Sequence, residues 1–405
     1  LANPQDNIAL EAVVVRDTAK LRNTPFHKIC SDPDAILRNP SIEVVVEVMG
    51  GIEPALEYHK KALMAGKFLV TANKAVISQY GPELFSKAEE HGVAIGFEGA
   101  VGGGIPIINT LQEQFSTGRI DSIEAIINGT ANFMITLMEE GKSYSETLSI
   151  AQEMGFAEHD SSFDVLGHDP AQKIAILGSL AFGSWIKPSS VYTEGITSIS
   201  PQEILFAKEL GYLIRLLAIA QRTEQGTIDI RVHPTMIQKE HCLAGIRYET
   251  NAVVVKGHPF KELMFAGKGA GEGPTAFSVY WDIVRMAEMK RSGRVDGFRL
   301  VNSPTPIVDH NEIMTEGYLR LFLRYEPGSL PQVLEVLAGN GWNINEFIQR
   351  EIKGKEFQEN RYLAVLTHYT LPFGIVRKTL AELDSMANDP QGPLLGRPFY
   401  ARVEK

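Results

Sequence analysis

Short apolar runs and longer amphipathic stretches alternate through the first hundred residues. "ALEAVVVRD" (9–17), "IEVVVEVMGG" (42–51), "KFLVTAN" (67–73) and "GVAIGFEGA" (92–100) read as strands. Their nearly continuous apolar character fits a parallel sheet covered on both faces. Between them, "EPALEYHKKALMAG" (53–66) and "YGPELFSKAEEHG" (80–92) carry helical periodicity, with Pro near the start and Gly at the end. Strand–helix–strand repeats at this spacing predict an α/β fold with a Rossmann-like doubly wound parallel sheet. Ligands of such sheets bind beyond the carboxyl ends of the strands. The turns "RDTAK", "MGGIEPA", "TANKAV" and "EGAVGGGIP" are therefore where chemistry is expected.

From residue 113 to 274 the pattern shifts to longer helices and mixed strands, which predicts a separate α+β catalytic or oligomerisation domain. "RIDSIEAIINGTANFMITLMEEG" reads as strand, polar turn and helix. "YSETLSIAQEMG" and "PQEILFAKELGYLIRLLAIAQR" read as amphipathic helices, and "TIDIRVHPTMI" and "YETNAVVVKG" as strands. "GAGEGPTAFSVYWDIVRMAEMKRSG" is a glycine-rich turn and a long helix that returns the chain to the first domain, so that 1–112 and 275–300 form one nucleotide-binding unit. A polar, Pro-bearing linker (301–315) follows. Residues 316–395 then spell strand, helix, strand, strand, helix, a βαββα module on the ferredoxin-like pattern.

Composition narrows the classes. The 405 residues carry a formal charge of −10 with dispersed bases, which argues against nucleic-acid binding. Two cysteines, Cys30 and Cys242, make no disulfide framework and point to a reducing compartment. No apolar run reaches the roughly 18–20 residues of a membrane span, and no signal peptide is visible. A soluble, cytoplasmic protein without membrane partners is expected. The opening "LANPQDNIALEAVVVRD" lacks Met and feeds directly into a strand, as if cut from within a domain.

The densest polar chemistry lies in "GFAEHDSSFDVLGHDPAQKIAIL" (155–177), where Glu158, Asp160, Asp164, Asp169 and Lys173 crowd between apolar runs. Asp169 precedes Lys173 by four residues at a predicted helix start, which puts both on one face. A solvated pair of this kind contributes only about 0.3–0.5 kcal/mol. The helix behind is apolar nearly all round, however, so Lys173 is expected to face a cavity wall, where a shielded lysine beside carboxylates suits proton transfer at an oxygen. Glu158 and Asp164 have the charge to grip a substrate amino group. His159 and His168 lack the companions of a metal site, and ordinary polar contacts are expected for them.

Other motifs leave two readings open. Lys74 of "TANK" is either a solvated strand-end lysine or a cation held against a ligand. Gly50 and Gly51 form either a plain tight turn or a close backbone approach to a ligand at a helix start. Glycines 99 and 102–104 are too many for a simple turn and favour a ligand-lining loop, where Glu98 and nearby carbonyls suit a hard cation. After "VVV", Arg16, Lys20 and Arg22 favour the 2′-phosphate of NADP, while Asp17 keeps NAD open. The Gly-rich dinucleotide fingerprint is absent and is expected in a strand and loop preceding Leu1.

Taken in order, "VVVEVMGGIEPA", "FLVTANKAVI", "FEGAVGGGIPII", "INGTANFMITLM", "GFAEHDSSFDVLGHDPAQKIAILG", "RVHPTMI", "NAVVVKG" and "GKGAGEGPTA" resemble homoserine dehydrogenase over residues 1 to about 300. Residues 316 to about 390 resemble an ACT domain. The resemblance implies NAD(P)-dependent interconversion of L-homoserine and L-aspartate 4-semialdehyde, in the biosynthesis of threonine, methionine and isoleucine. It implies Lys173 as the catalytic lysine with Asp169 beside it and Lys74 as a second lysine at the reacting centre. Glu158, Asp164 and Thr130, with Lys74, become substrate contacts. Gly50, Gly51, Lys74 and Gly271 join Arg16 and Lys20 as cofactor contacts. Glu98, Val101, Gly103 and Ile105 become a monovalent cation site for Na+ or K+, the last three through carbonyls. A homodimer or homotetramer and an amino-acid effector such as threonine at the ACT domain are further implications. Two departures stand out: "AEHDS" replaces the usual "AE-x-D-P", and Tyr325 stands where an acidic residue is common, which puts effector binding in question. Two rival readings are a non-catalytic amino-acid sensor derived from the same family and a related semialdehyde reductase of the same fold.

Overall fold

The computed structural model describes residues 8–20, 28–297, 304–352 and 361–404. Arg22 and the start of the 301–315 linker lie outside the described residues. The chain divides into two compact units: Leu1–Gly129, Asp169–Val191 and Glu249–Thr305 form the first, and Thr130–His168, Tyr192–Tyr248 and Pro306–Lys405 the second.

The first unit is built on parallel strands Val44–Glu47, Phe68–Thr71 and Ile95–Gly96, in that spatial order. Every residue of Phe68–Thr71 is buried, the fate of a central strand covered on both faces. Helix Ala55–Met64 crosses between the first two strands and buries Ala55, Leu56, His59, Ala62 and Leu63. That spacing is one helical stripe, and each fully buried leucine contributes roughly 1.5–3 kcal/mol. Val13–Val14 and Ile29–Cys30 form a separate two-stranded parallel sheet. Expected strand 92–100 shortens to Ile95–Gly96, because Glu98–Ala100 coils into a 3-10 turn.

The second crossover helix also departs from expectation. It runs Lys74–Glu90, beginning six residues before Tyr80, because the Asn73 side chain caps it by accepting from the Val76 N–H. Pro82 sits inside it and has no N–H to offer the Ser78 carbonyl. The indole N–H of Trp185 donates to that carbonyl instead, at 3.1 Å. The ring lies so close to Gly81 that a Cβ there would fall 2.3 Å from it.

Strands Arg119–Ile126, Thr250–His258 and Lys261–Lys268 also belong to this unit and pair antiparallel, with Thr250–His258 in the middle. The last of them carries no alternation, since Leu263, Met264, Phe265 and Ala266 stand in a row and most of its residues are exposed. Helix Glu272–Ser292 completes the unit.

In the second unit, the long helix expected over 201–222 is a helix only across Pro201–Glu209; Tyr212–Arg222 is a strand. Gly211, at φ +86°, breaks the helix, and the apolar run behind it is the unbroken kind that a buried strand carries. The sheet order is Tyr212–Arg222, Ile228–Gln238, Phe399–Glu404, Met314–Arg324, Arg361–Pro372, Ile344–Ile352. The last four strands, with helices Ser329–Gly339 and Phe373–Asn388, are a complete ferredoxin-like βαββαβ module rather than the expected βαββα. Strand Phe399–Glu404 hides in the sequence behind "DPQGPLLGRP". It pairs antiparallel with Met314–Arg324 and parallel with Ile228–Gln238, so the module continues an existing sheet. Among the described residues no helix is long and apolar enough to cross a membrane.

Candidate active site

Asp169 stands at the second position of helix His168–Phe182 and is 4% exposed. Its Oδ2 accepts from Lys173 Nζ at 2.8 Å and from Asn128 Nδ2 at 2.9 Å. Its Oδ1 lies 3.0 Å from Lys74 Nζ. Lys173, itself 8% exposed, donates further to the Ile127 carbonyl at 2.7 Å. The first turns of two helices and the turn after strand Arg119–Ile126 thus converge on one carboxylate. The i,i+4 spacing delivers Lys173, and the Asn73 cap fixes where the Lys74 helix begins. Burial works against the Asp169 charge, but Lys173, Lys74 and Asn128 outweigh it and hold the carboxyl at about 2. Two ammonium groups on one carboxylate leave a net positive charge. Such a site can bind and protonate a developing alkoxide, and a lysine that has given up its proton can take one from a hydroxyl.

The neighbouring turns are set by Glu47 and Asn73. Gly50 and Gly51 both take φ +75°, which glycine alone adopts freely. Their turn is held from below by Glu47, whose Oε1 accepts from the Met49 and Gly50 N–H groups at 2.5 and 3.3 Å. Asn73 Nδ2 donates to the Gly51 carbonyl at 2.7 Å. Gly271, at φ +111°, precedes helix Glu272–Ser292. Glycines 102–104 have a packing reason as well as any ligand role: a Cβ on Gly103 would stand 2.6 Å from the Gly269 backbone.

Glu98 is buried and its two oxygens accept from the Ile108 and Asn109 N–H groups, each at 2.8 Å. Its own N–H donates to Asp282 at 2.8 Å. Burial raises the Glu98 carboxyl to about 7 and that of Asp282 to about 6. The Gly103 carbonyl accepts from Ser278 Oγ at 2.6 Å. The Glu98 oxygens are thus met by backbone amides and the Gly103 carbonyl by a hydroxyl. Among the described residues no group of three His, Cys, Asp or Glu side chains is placed to hold a metal.

Arg16 and Lys20 are exposed in the loop after strand Val13–Val14, where Asp17 Oδ1 accepts from the Ala19 N–H at 2.9 Å. Thr130, Glu158 and Asp164 belong to the second unit. Thr130 Oγ1 donates to the Phe156 carbonyl at 2.6 Å, fixing the start of the loop that carries Glu158. Gln152 Nε2 donates to the carbonyls of Glu158 and His159, both at 3.2 Å. The Glu158 side chain is exposed and Asp164 half-buried. Asn128, Glu47, Thr71, Asn73 and Asp282 were missed as site residues; only Asn73, directly before Lys74 in an N-cap position, left a local signal.

A parallel sheet whose carboxyl-end turns carry glycines at positive φ, beside a carboxylate clamping two lysines, is the arrangement of an α/β enzyme that binds its ligand at the sheet's carboxyl edge. Comparison with known proteins agrees. The homoserine dehydrogenase family model matches residues 106–284, and that for the homoserine dehydrogenase NAD binding domain matches residues 1–98. A homoserine dehydrogenase of Synechocystis sp. is 46% identical over 285 residues, 69% of this chain and 66% of that one. One of Bacillus subtilis is 38% identical over 372 residues, 90% and 84% of the two chains. The crystal structure of a homoserine dehydrogenase from Thiobacillus denitrificans, 34% identical, superposes with a TM-score of 0.84 over 93% of this chain and 85% of that one. The chain belongs to the homoserine dehydrogenase family, and it is an NAD(P)-dependent oxidoreductase. The alternative of a non-catalytic sensor is not favoured.

Proposed function

We propose that the chain interconverts L-homoserine and L-aspartate 4-semialdehyde through the cluster of Lys74, Asp169 and Lys173. The single observation that carries the reading is that one buried carboxylate orients two lysines whose tips lie 2.8 and 3.0 Å from it. Lys173 as the neutral amine, or a water it holds, takes the hydroxyl proton of homoserine as the carbonyl forms, and the lysine is left as the ammonium. In reverse, the same ammonium returns a proton to the alkoxide oxygen. Lys74 adds positive charge beside that oxygen, and Asp169 with Asn128 keeps both lysines aimed. Glu158 and Asp164 hold the substrate ammonium, and Thr130 steadies the Glu158 loop. A dinucleotide held beside this centre would supply the acceptor or donor for the hydride on the carbinol carbon. Gly50, Gly51 and Gly271 would meet it, and Arg16 and Lys20, placed after the strand where a 2′-phosphate is read, favour NADP over NAD. Glu98 with the carbonyls of Val101, Gly103 and Ile105 would hold a monovalent cation.

In this reading 1–112 and 275–300 bind the dinucleotide and 113–274 bind substrate and build the dimer or tetramer. Residues 316–395, joined by strand Phe399–Glu404, act as an ACT domain for an amino-acid effector. The ferredoxin-like strand order supports that last assignment. The test is to follow the near-ultraviolet absorbance of the reduced nicotinamide with L-homoserine and either NADP or NAD. Lys173→Met should lose about 10²–10⁴ of turnover while its circular dichroism stays that of the parent. A variant that keeps parental turnover removes Lys173 from the mechanism.

A further inference from the structure

We propose that Glu47 and Thr71, neither of which reaches a reacting group, are positioning residues that lock the glycine turn at 49–51 and the turn bearing Lys74 into one rigid piece. The proposal rests on the reading above, in which the first turn meets the dinucleotide and Lys74 the reacting centre.

Glu47 and Thr71 end adjacent parallel strands and are register partners, so the sheet itself sets them side by side. Thr71 and His59 are fully buried and Glu47 nearly so. Glu47 Oε1 accepts from the Met49 and Gly50 amides. Its Oε2 accepts from Thr71 Oγ1 at 2.9 Å and lies 2.8 Å from His59 Nε2. Having donated its one hydroxyl hydrogen to Glu47, Thr71 accepts from the Asn73 N–H at 2.9 Å. Asn73 closes the ring by donating to the Gly51 carbonyl and capping the helix that Lys74 opens. The circuit runs from Glu47 through the glycine turn to Asn73, and back through Thr71.

The circuit has two physical consequences. The Met49 and Gly50 amides point into the protein toward a carboxylate, so the turn does not offer them to a phosphate. It is shaped before any ligand arrives, by the chain's own charge. Secondly, the turn cannot shift without moving Asn73, and Asn73 sets where Lys74 emerges. A buried carboxylate is a costly way to fill space, since an apolar side chain would pack at no desolvation penalty. Four polar contacts on Glu47, all directed at the two turns or their supports, are what positioning demands. Burial opposes the charge, yet the contacts from His59, Met49 and Thr71 hold the Glu47 carboxyl below its ordinary value.

The experiment compares Thr71→Val, Thr71→Ser and Glu47→Gln in the full-length enzyme, reading kcat and both KM values beside circular dichroism and melting temperature. Misplacement of a positioned group by about 1 Å costs on the order of 10²-fold. Thr71→Val should therefore raise the dinucleotide KM by about tenfold or more and lower kcat, with the homoserine KM within about twofold of parent. Thr71→Ser, which keeps the hydroxyl, should restore both. If Thr71→Val does not fold, the isosteric Glu47→Gln carries the test, with the same split expected. A folded variant with a lowered melting temperature but parental kinetic constants overturns the proposal and reduces the circuit to scaffolding. Parental turnover in Lys173→Met would defeat the underlying reading of the centre, and the dinucleotide KM would still decide the circuit.

Discussion

Asp169 shows what a single buried side chain does for both stability and chemistry. In the fold its carboxyl titrates at about 2, against an ordinary value of 3.8. A carboxyl depressed by folding stabilises the protein above its unfolded value, and that contribution disappears as the pH falls through the folded value. The difference in unfolding free energy between the parent and Asp169→Asn should therefore be largest above about pH 4, roughly 2 kcal/mol, and should shrink toward pH 2. Urea unfolding of both proteins across that range checks the sign. A gap that widens on acidification would mean that the two lysines do not set the charge of Asp169. This pairing was legible in the sequence, because four residues along a helix is a fixed distance. The contact with Asn128 was not, since it spans 41 positions and depends on where strand Arg119–Ile126 ends.

At the scale of one element, helix Lys74–Glu90 carries a defect and its repair in separate parts of the chain. Pro82 leaves the Ser78 carbonyl without its helical partner, and Trp185 supplies the missing donor. Trp185→Phe keeps an aromatic side chain but removes the indole donor and leaves the Ser78 carbonyl unpaired, which alone costs roughly 1–3 kcal/mol. Pro82→Ala in that background should recover part of the loss by restoring the helical N–H, so the two changes should be non-additive in a double-mutant cycle of thermal unfolding. Elements whose pattern is local were readable: Phe68–Thr71 by its unbroken apolar run and Ala55–Met64 by its periodicity. Tyr212–Arg222 was misread as helix, because a run apolar at nearly every position satisfies both periods and only Gly211 decides. Lys261–Lys268 wrote no pattern because both its faces meet solvent.

For the molecule as a whole, the ferredoxin-like module does more than hang from a linker. Arg320 in strand Met314–Arg324 forms a buried ion pair with Glu203 of helix Pro201–Glu209, and Arg350 pairs with Glu209 at the surface. Breaking a buried pair from one side strands a charge. Arg320→Met alone should cost roughly 3–5 kcal/mol, whereas Glu203→Met with Arg320→Met should recover most of it. Urea unfolding of the full chain distinguishes that pattern from simple additivity, which would mean the pair contributes nothing specific. The seam between module and sheet has a consequence in time as well. One edge of strand Ile228–Gln238 is covered piecemeal: Ile307 bridges to Ile228, Tyr192–Thr193 lies along Arg231 and Val232, and Arg402–Glu404 along Thr235–Ile237. The last cover emerges from the ribosome long after the strand it protects, on the order of ten seconds or more at ordinary rates of synthesis. Throughout that interval a nascent hairpin shows an open edge to other nascent chains. Asp229, Arg231 and Pro234 sit along that strand, and charges and a missing N–H are what discourage a stray strand from adding.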